Sequence, residues 1–241
     1  MLLGDRRKGE ATRLPRRDEN LPGDKREAEA GLRGNLPEKG VYLITDRLLS
    51  HAREEEAVKA ACKAGIRMVQ YREKELSFKE QTSMARKLRR ICSDYGTTFI
   101  VNDSVEIALS SNADGVHLGQ DDFSEENVKK AQYAGLILGI SASNLQEAQA
   151  ASEFADYIGF GPVFSTQTKK DAAKPAGIFG LSDVIASVKK PIYAIGGINE
   201  KNASKIMQTG AHGIAVISAI MASNDFYSSS KKLLKTVEKW I

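Results

Sequence analysis

Two carboxylates stand just after short apolar runs and could together hold a metal ion. Asp103 follows the run at 99–101, and Asp122 follows the run at 116–118. If these runs are neighbouring parallel strands, their ends lie side by side and the pair can share Mg²⁺, which leaves coordination sites for phosphate oxygens and water. The alternative is that these acids, or Asp121, cap the helices that follow.

Three basic side chains follow two other apolar runs. Arg72 and Lys74 lie two residues apart beyond the run at 66–69, so an extended backbone turns them to the same side, and Lys169 follows the run at 157–160. A magnesium-bound polyphosphate explains why bases and acids would converge. A surface cluster of salt bridges is the alternative, although it would stabilise the fold little.

A pair of glycines and a serine predict a second anion site. Gly196 and Gly197 follow the run at 192–195, and Ser218 follows the run at 214–217. The loops after the last two strands of α/β barrels are a recurrent phosphate site, and glycine lets the backbone approach the anion closely. A plain tight turn is the alternative. Two anion sites suggest a transferase that joins two phosphorylated molecules.

The connection at 161–177 is long and polar, so we expect either a lid over a phosphate or a disordered segment.

Two histidines are expected to have roles other than binding substrate or metal. His117 lies within a run, so we expect a structural role, and His212 precedes the last run, on the stabilising face of a barrel. The sequence contains no nucleophile triad, Walker loop or strand-linked GxGxxG.

Eight apolar runs alternate with segments of helical spacing and predict the fold. They begin near residues 41, 66, 98, 114, 136, 156, 191 and 213. Strands that alternate with helices are typical of a parallel sheet. Eight such units predict a closed (β/α)8 TIM barrel of α/β class, and an open doubly wound sheet is the alternative. Glycines at 65, 96, 135 and 210 predict helix ends, and Ser77 with Glu80 predicts a capping box.

Composition limits the domain organisation. The chain has 241 residues, of which 41% are hydrophobic and 27% charged, as in an ordinary globular protein. We expect a disordered extension at 1–39, where three of the six prolines and many charges fall, and one catalytic domain at 40–241. Cys62 and Cys92 fall on predicted helices, so we expect free thiols.

Charge and hydropathy indicate the expected partners. A net charge of +4 is too small to predict nucleic-acid binding, and no run is long enough to span a membrane. The start of the chain lacks the apolar core of a signal peptide, so we expect a cytoplasmic protein. The sequence leaves open whether the chain is a monomer or a homo-oligomer.

Several motifs, taken in order and spacing, carry a resemblance to a known family. They lie at 42–46, 69–74, 102–103, 113–122, 139–141, 155–164, 166–169, 194–198 and 216–220. Over about residues 40–222 the chain resembles the thiamine-phosphate synthases, also called thiamin phosphate pyrophosphorylases. That resemblance implies a (β/α)8 enzyme that joins 4-amino-5-hydroxymethyl-2-methylpyrimidine diphosphate to a methylthiazole phosphate and releases thiamine phosphate and diphosphate.

The resemblance also implies a role for each matching position. Those implied to contact the pyrimidine are Gln70 and Ser141. Those implied to hold its diphosphate are Arg72, Lys74, Asn102 and Lys169, and the basic ones would stabilise the leaving charge. Those implied to hold Mg²⁺ are Asp103 and Asp122. Those implied to hold the thiazole phosphate are Thr166, Thr168, Gly197, Ile217 and Ser218.

Two rival functions stay open on the same residues. A thiazole tautomerase, an isomerase, shares the fold but need not bind a diphosphate. A non-catalytic protein that binds thiazole phosphate or thiamine phosphate is the second rival. The presence of both aspartates, the Arg72 and Lys74 pair and the motif at 166–169 favours the synthase.

Overall fold

The computed structural model describes residues 36–168 and 173–241 and shows a closed barrel of eight parallel strands. The strands follow one another around the barrel in chain order, and β1 closes it by pairing in parallel with β8. They are β1 (Gly40–Ile44), β2 (Met68–Tyr71), β3 (Thr98–Asn102), β4 (Gly115–Leu118), β5 (Ile137–Ala142), β6 (Tyr157–Phe160), β7 (Ile192–Ile195) and β8 (Gly213–Val216). The predicted (β/α)8 barrel is confirmed, and the open-sheet alternative is wrong.

Helices surround the barrel. Those in the described residues are α1 (Glu54–Ala64), α2 (Phe78–Asp94), α3 (Val105–Ser110), α4 (Glu125–Tyr133), α5 (Leu145–Ser152), α6 (Gly177–Ser187), α7 (Ala203–Met207), α8 (Ser218–Met221) and α9 (Phe226–Val237). A short 3₁₀ helix, Glu238–Trp240, follows α9. None of the helices in these ranges combines the length and apolar character that a membrane span requires.

Local sequence signals explain where the helices begin and end. Ser77 and Glu80 form the predicted capping box at the start of α2. Gly65 ends α1 with φ +110°, a left-handed conformation that glycine adopts without a Cβ clash. On α2 the buried positions, among them Ala85, Leu88 and Cys92, recur every three or four residues and turn one face of the helix to the barrel.

Two clusters of buried apolar side chains form the core of the barrel. The larger packs the outward side chains of the strands against the helices, and the smaller fills the barrel interior. The interior residues are Tyr42, Ile44, Met68, Ile100, Ile137, Tyr157, Tyr193 and Ala215. Three tyrosines among them are an unusual filling for a barrel that is normally packed with aliphatic side chains.

Two further expectations concern residues away from the C-terminal ends of the strands. Cys62 on α1 and Cys92 on α2 are buried free thiols, as predicted. The expected extension at 1–39 falls mostly outside the described residues. Its last part contacts the barrel: Leu36 packs against the interior cluster, and His212 is hydrogen-bonded to the carbonyl of Pro37 at 3.1 Å.

Candidate active site

A cavity of about 720 Å³ opens at the C-terminal ends of the strands. Its lining includes every residue for which the sequence predicts a contact with substrate or metal, except Lys169, which lies outside the described residues. They are Gln70, Arg72, Lys74, Asn102, Asp103, Asp122, Ser141, Thr166, Thr168, Gly197, Ile217 and Ser218. Positions up to about 150 residues apart in the chain thus share one space, and it lies on the face where barrel enzymes bind ligands.

The two predicted carboxylates converge within this cavity. A Cβ placed on Gly119 would lie 3.2 Å from Oδ2 of Asp122 and 3.7 Å from Oδ1 of Asp103, so both acids face the same glycine. The ammonium of Lys74 forms an ion pair with Asp103. Burial, followed by the negative charge of Asp103, raises the pKa of Asp122.

The helix-cap alternative for these acids is wrong. Ser104 caps α3 and Ser124 caps α4, each through a side-chain oxygen that accepts a backbone N–H. Asp103 adopts φ +64°, a left-handed conformation that aspartate and asparagine tolerate better than most residues. Its N–H donates to the carbonyl of His117 at 2.8 Å, which ties the turn after β3 to β4.

The donor set suits a small hard cation. Within 36–168 and 173–241, no cluster of three or more histidines, cysteines or acids could hold a metal, so Asp103 and Asp122 would act as a pair. Mg²⁺ is commonly held by one or two carboxylates together with substrate phosphates and water. Burial and then the negative charge of Asp103 raise the pKa of Asp122, and a cation between the two acids would favour the ionised carboxylate.

A buried acid shapes the turn that carries the basic residues. Glu73, whose side chain is only 5% exposed, accepts the N–H groups of Lys74 and Glu75 at 2.8 and 2.7 Å and the Nε–H of Arg47 at 2.8 Å. Burial opposes its ionisation, but these hydrogen bonds lower the pKa of Glu73. The turn after β2 is therefore tied down while Arg72 and Lys74 line the cavity.

The opposite side of the cavity is built on glycine. Gly196 and Gly197 follow β7 with φ +99° and +63°, and the carbonyl of Gly196 accepts the N–H of Phe164 at 3.1 Å. A Cβ on Gly197 would lie 2.5 Å from the carbonyl oxygen of Ser165. Two adjacent left-handed residues pressed against the connection after β6 thus require glycine here.

Residues of the connection after β6 and at the start of α8 complete this side of the cavity. The N–H of Thr168 donates to Oγ1 of Thr166 at 3.3 Å, in the part of the long connection that precedes the undescribed residues 169–172. Ile217 directly precedes α8, which begins at Ser218, and both line the cavity.

Sequence reasoning missed a polar chain beneath the cavity. Oγ of Ser141 is hydrogen-bonded to Nε2 of His117 at 2.9 Å, and Nδ1 of that ring to the hydroxyl of Tyr157 at 3.0 Å. His117 lies inside β4 as expected, yet its ring also lines the cavity, so a purely structural assignment was incomplete. Burial lowers the pKa of His117 to about 4, which keeps it neutral.

Glu54, at the start of α1, is a second buried acid near the site. It is 1% exposed and interacts with Thr45, whose Oγ1 accepts the N–H of Arg72 at 3.1 Å. Burial raises the pKa of Glu54 from 4.5 to about 7, with a further contribution from the charge of Glu73. Because the folded state keeps this proton to higher pH than the unfolded chain, the free energy of unfolding falls as pH rises through this interval.

We therefore expect Glu54→Gln to stabilise the protein at pH 8 by about 2–3 kcal/mol and to have little effect at about pH 3, where the carboxyl is protonated in both states. Urea denaturation of both proteins at the two pH values measures this difference. A stability difference that is equal at both pH values would mean that Glu54 does not titrate as described.

Comparisons with known proteins show which proteins this chain is similar to. A family model described as thiamine monophosphate synthase matches residues 41–220. Thiamine-phosphate synthase of Archaeoglobus fulgidus is 44% identical over 200 residues, which are 83% of this chain and 94% of that protein. The enzyme of the same name from Chloroflexus aurantiacus is 45% identical over 195 residues, which are 80% of this chain and 90% of that protein.

A solved structure is similar over the same range. Thiamine phosphate pyrophosphorylase from Pyrococcus furiosus is 39% identical, with a TM-score of 0.77 over 84% of this chain and 96% of that one. The range matched by the family model contains every residue that lines the cavity, from Ile44 to Ser218. The chain therefore belongs to the thiamine monophosphate synthase family.

Proposed function

We propose that this protein is a thiamine-phosphate synthase. It transfers the pyrimidine group of 4-amino-5-hydroxymethyl-2-methylpyrimidine diphosphate to 4-methyl-5-(2-phosphoethyl)thiazole, or to its carboxylate. The products are thiamine phosphate and diphosphate, and the carboxylate would release carbon dioxide as well. The observation that carries the proposal is the single cavity that joins an acid and base side, at β2 to β4, with a glycine and hydroxyl side, at β6 to β8. Two phosphorylated reactants can meet there.

The acid and base side would bind the pyrimidine diphosphate. Arg72 and Lys74 would hold its phosphate oxygens together with Asn102, which ends β3 at the cavity. Gln70 and Ser141 would contact the pyrimidine ring. Lys169 remains the predicted third cation, although it lies outside the described residues.

The glycine side would bind the thiazole phosphate. Backbone near Gly197, Ile217 and Ser218 can approach a phosphate closely because Gly197 has no side chain. Thr166 and Thr168 would add hydroxyl donors from the long connection.

The reaction needs charge stabilisation more than a protein nucleophile. The bond between the pyrimidine methylene carbon and the diphosphate oxygen breaks, and its electron pair leaves with diphosphate. Arg72 and Lys74 would stabilise the negative charge that develops there. The aminopyrimidine delocalises the positive charge on the methylene carbon, and the thiazole nitrogen forms the new C–N bond. Because the cavity holds both reactants together, positioning supplies much of the remaining rate enhancement.

Asp103 and Asp122 would hold Mg²⁺ in this proposal. When bound, the ion supplies positive charge to the phosphate oxygens of the leaving group. Lys74 would exchange part of its ion pair with Asp103 for contact with diphosphate.

The proposal is tested by supplying both substrates with Mg²⁺ to the purified protein and measuring thiamine phosphate by chromatography. We expect product only when both substrates are present, with one diphosphate released for each thiamine phosphate. A thiazole tautomerase or a binding protein would release no diphosphate, and that result with folded protein would refute the proposal.

Gly197→Ala gives a separate prediction for the glycine side. The new Cβ would overlap the carbonyl oxygen of Ser165, so the turn that lines the cavity would have to shift. We expect the KM for thiazole phosphate to rise on the order of 10-fold, which corresponds to about 1.4 kcal/mol of lost binding. Steady-state kinetics with thiazole phosphate as the varied substrate measures this change.

Gly210→Ala is the matched control. Gly210 also has a positive φ, +89°, but a Cβ there would meet nothing nearer than Ile185 at 3.8 Å. This variant should lose about 1–2 kcal/mol of stability to the left-handed backbone and keep a wild-type KM. Equal KM values for the two variants would argue against a phosphate site at Gly197.

A further inference from the structure

A continuous hydrogen-bonded chain crosses the barrel beneath the cavity. Nε2 of Gln70 donates to the hydroxyl of Tyr42 at 2.6 Å, and that hydroxyl is 2.8 Å from the hydroxyl of Tyr157. Tyr157 contacts Nδ1 of His117 at 3.0 Å, and Nε2 of the same ring contacts Oγ of Ser141 at 2.9 Å. The chain therefore joins the two residues proposed to contact the pyrimidine.

The neighbouring strands leave room for this chain. A Cβ on Gly139 of β5 would lie 2.2 Å from Cζ of Tyr157 and 2.4 Å from Nδ1 of His117. A Cβ on Gly159 of β6 would lie 2.9 Å from Cε1 of the imidazole. Two inward positions that a barrel normally fills with branched side chains are thus glycine, and polar rings occupy the space.

The residues of this hydrogen-bonded chain are buried, so their polar groups must find hydrogen-bond partners within the protein. Gln70 and Tyr42 are 2% and 1% exposed, Tyr157 is fully buried, and His117 is 7% exposed. Water cannot readily replace a partner lost there, so each donor must meet an acceptor.

This requirement gives the chain one direction. The amide of Gln70 donates to Tyr42, so the hydroxyl proton of Tyr42 is left for Tyr157. Tyr157 in turn donates to Nδ1 of His117, and the neutral imidazole then carries its proton on Nε2 and donates to Ser141.

The direction determines what the two ends offer to a ligand. Ser141 already accepts from the imidazole, so its own hydroxyl proton is left to donate into the cavity. Gln70 uses its amide nitrogen on Tyr42, so its carbonyl oxygen is left to accept. A 4-aminopyrimidine matches this pair because it presents an amino donor beside a ring-nitrogen acceptor. A 4-oxopyrimidine presents the reverse pattern, a carbonyl acceptor beside a ring N–H donor.

We propose that Tyr42, Tyr157 and His117 are positioning residues that fix the hydrogen-bonding direction of Gln70 and Ser141 and so select an amino-substituted over an oxo-substituted pyrimidine. The inference rests on the proposed function for the identity of the ring, and it adds the residues that set specificity. None of the three needs to touch the reacting atoms.

Tyr157→Phe tests the inference because it removes one hydroxyl from the middle of the chain and keeps the ring. Tyr193→Phe is the matched control: Tyr193 is 1% exposed, its ring centroid is 5.5 Å from that of Tyr157, and its hydroxyl has no hydrogen-bond partner in the described part of the chain. Tyr42→Phe breaks the chain at a second point, so the test survives if one variant does not fold.

Calorimetry measures the dissociation constants of the 4-amino and 4-oxo pyrimidine diphosphates with each folded protein. We expect the wild type and Tyr193→Phe to prefer the amino compound by at least ~100-fold, and Tyr157→Phe or Tyr42→Phe to lose about 10-fold of that preference. The KM for thiazole phosphate should stay unchanged. Thermal unfolding of all four proteins shows which variants are folded.

The inference is overturned if Tyr157→Phe and Tyr42→Phe keep the wild-type preference for the amino compound. It is also overturned if Tyr193→Phe loses as much of that preference as they do. Failure of the proposed function is a different result: wild-type protein that forms no thiamine phosphate from the two substrates. Because the dissociation constants need no turnover, binding preference still decides the inference in that case.

Discussion

Replacing Asp103 or Asp122 with asparagine should lower turnover by on the order of 100-fold or more at saturating substrate and moderate Mg²⁺. The expectation follows from the convergence of both carboxylates on Gly119 and from the several kcal/mol of charge stabilisation that a metal contributes to a leaving phosphate. Asparagine preserves the size of the side chain and tolerates the left-handed backbone at 103. Diphosphate release over a range of Mg²⁺ concentrations measures the effect.

Stability and a neighbouring acid provide the controls. Loss of the solvent-accessible ion pair with Lys74 should cost no more than about 1 kcal/mol, so both variants should stay folded. Asp121 is exposed and also borders the cavity, and we expect Asp121→Asn to keep near-normal turnover. If Asp103→Asn and Asp122→Asn behaved like Asp121→Asn at every Mg²⁺ concentration, the carboxylate pair would not be the metal site.

Arg72→Ala should produce the second large effect. In the described part of the chain no carboxylate forms an ion pair with Arg72, so its guanidinium is available for an anion in the cavity. Charge-assisted hydrogen bonds contribute about 1.5–3 kcal/mol each, and their loss should lower kcat/KM for the pyrimidine diphosphate by on the order of 100-fold. The KM for thiazole phosphate should change little, because that substrate is proposed to bind on the opposite side of the cavity.

Arg67→Ala is the matched control for charge. Arg67 is exposed and precedes β2, whereas Arg72 follows the same strand, so the two arginines lie at opposite ends of the barrel. Initial rates with each substrate varied separately distinguish the two variants. Equal losses in both would mean that Arg72 acts through net charge and not through contact with the diphosphate.

The convergence of the candidate site residues on one face of the barrel could be predicted from the sequence, because all strands of the barrel are parallel. The ends of eight parallel strands meet on one face, so residues that follow apolar runs, such as Asp103, Asp122 and Ser218, must come together. The precise ends were harder to place. Ser141, for example, lies within β5, which continues to Ala142.

Features that depend on the packed environment could not be predicted. Glu73 stands between Arg72 and Lys74 and is typical of a solvated charge, yet the turn buries it against backbone N–H groups and Arg47. Nothing local in the sequence indicates that burial, because it arises from the path of the turn after β2.

The hydrogen-bonded chain inside the barrel could be predicted only in part from the sequence. Tyr42, Tyr157 and His117 alternate with outward positions on their strands, but the direction of each ring depends on the glycines of adjacent strands. Pairing of His117 with Gly139 across β4 and β5 is a property of register, which single runs do not reveal.

The central claim is that one rim binds a divalent cation and two anionic groups, and a crystal structure with Mn²⁺, diphosphate and thiamine phosphate tests it most directly. We predict an anomalous scattering peak between the carboxylates of Asp103 and Asp122, with diphosphate near Arg72 and the phosphate of the product near Gly197. An anomalous peak elsewhere, with both aspartates making no contact to the metal, would contradict the account.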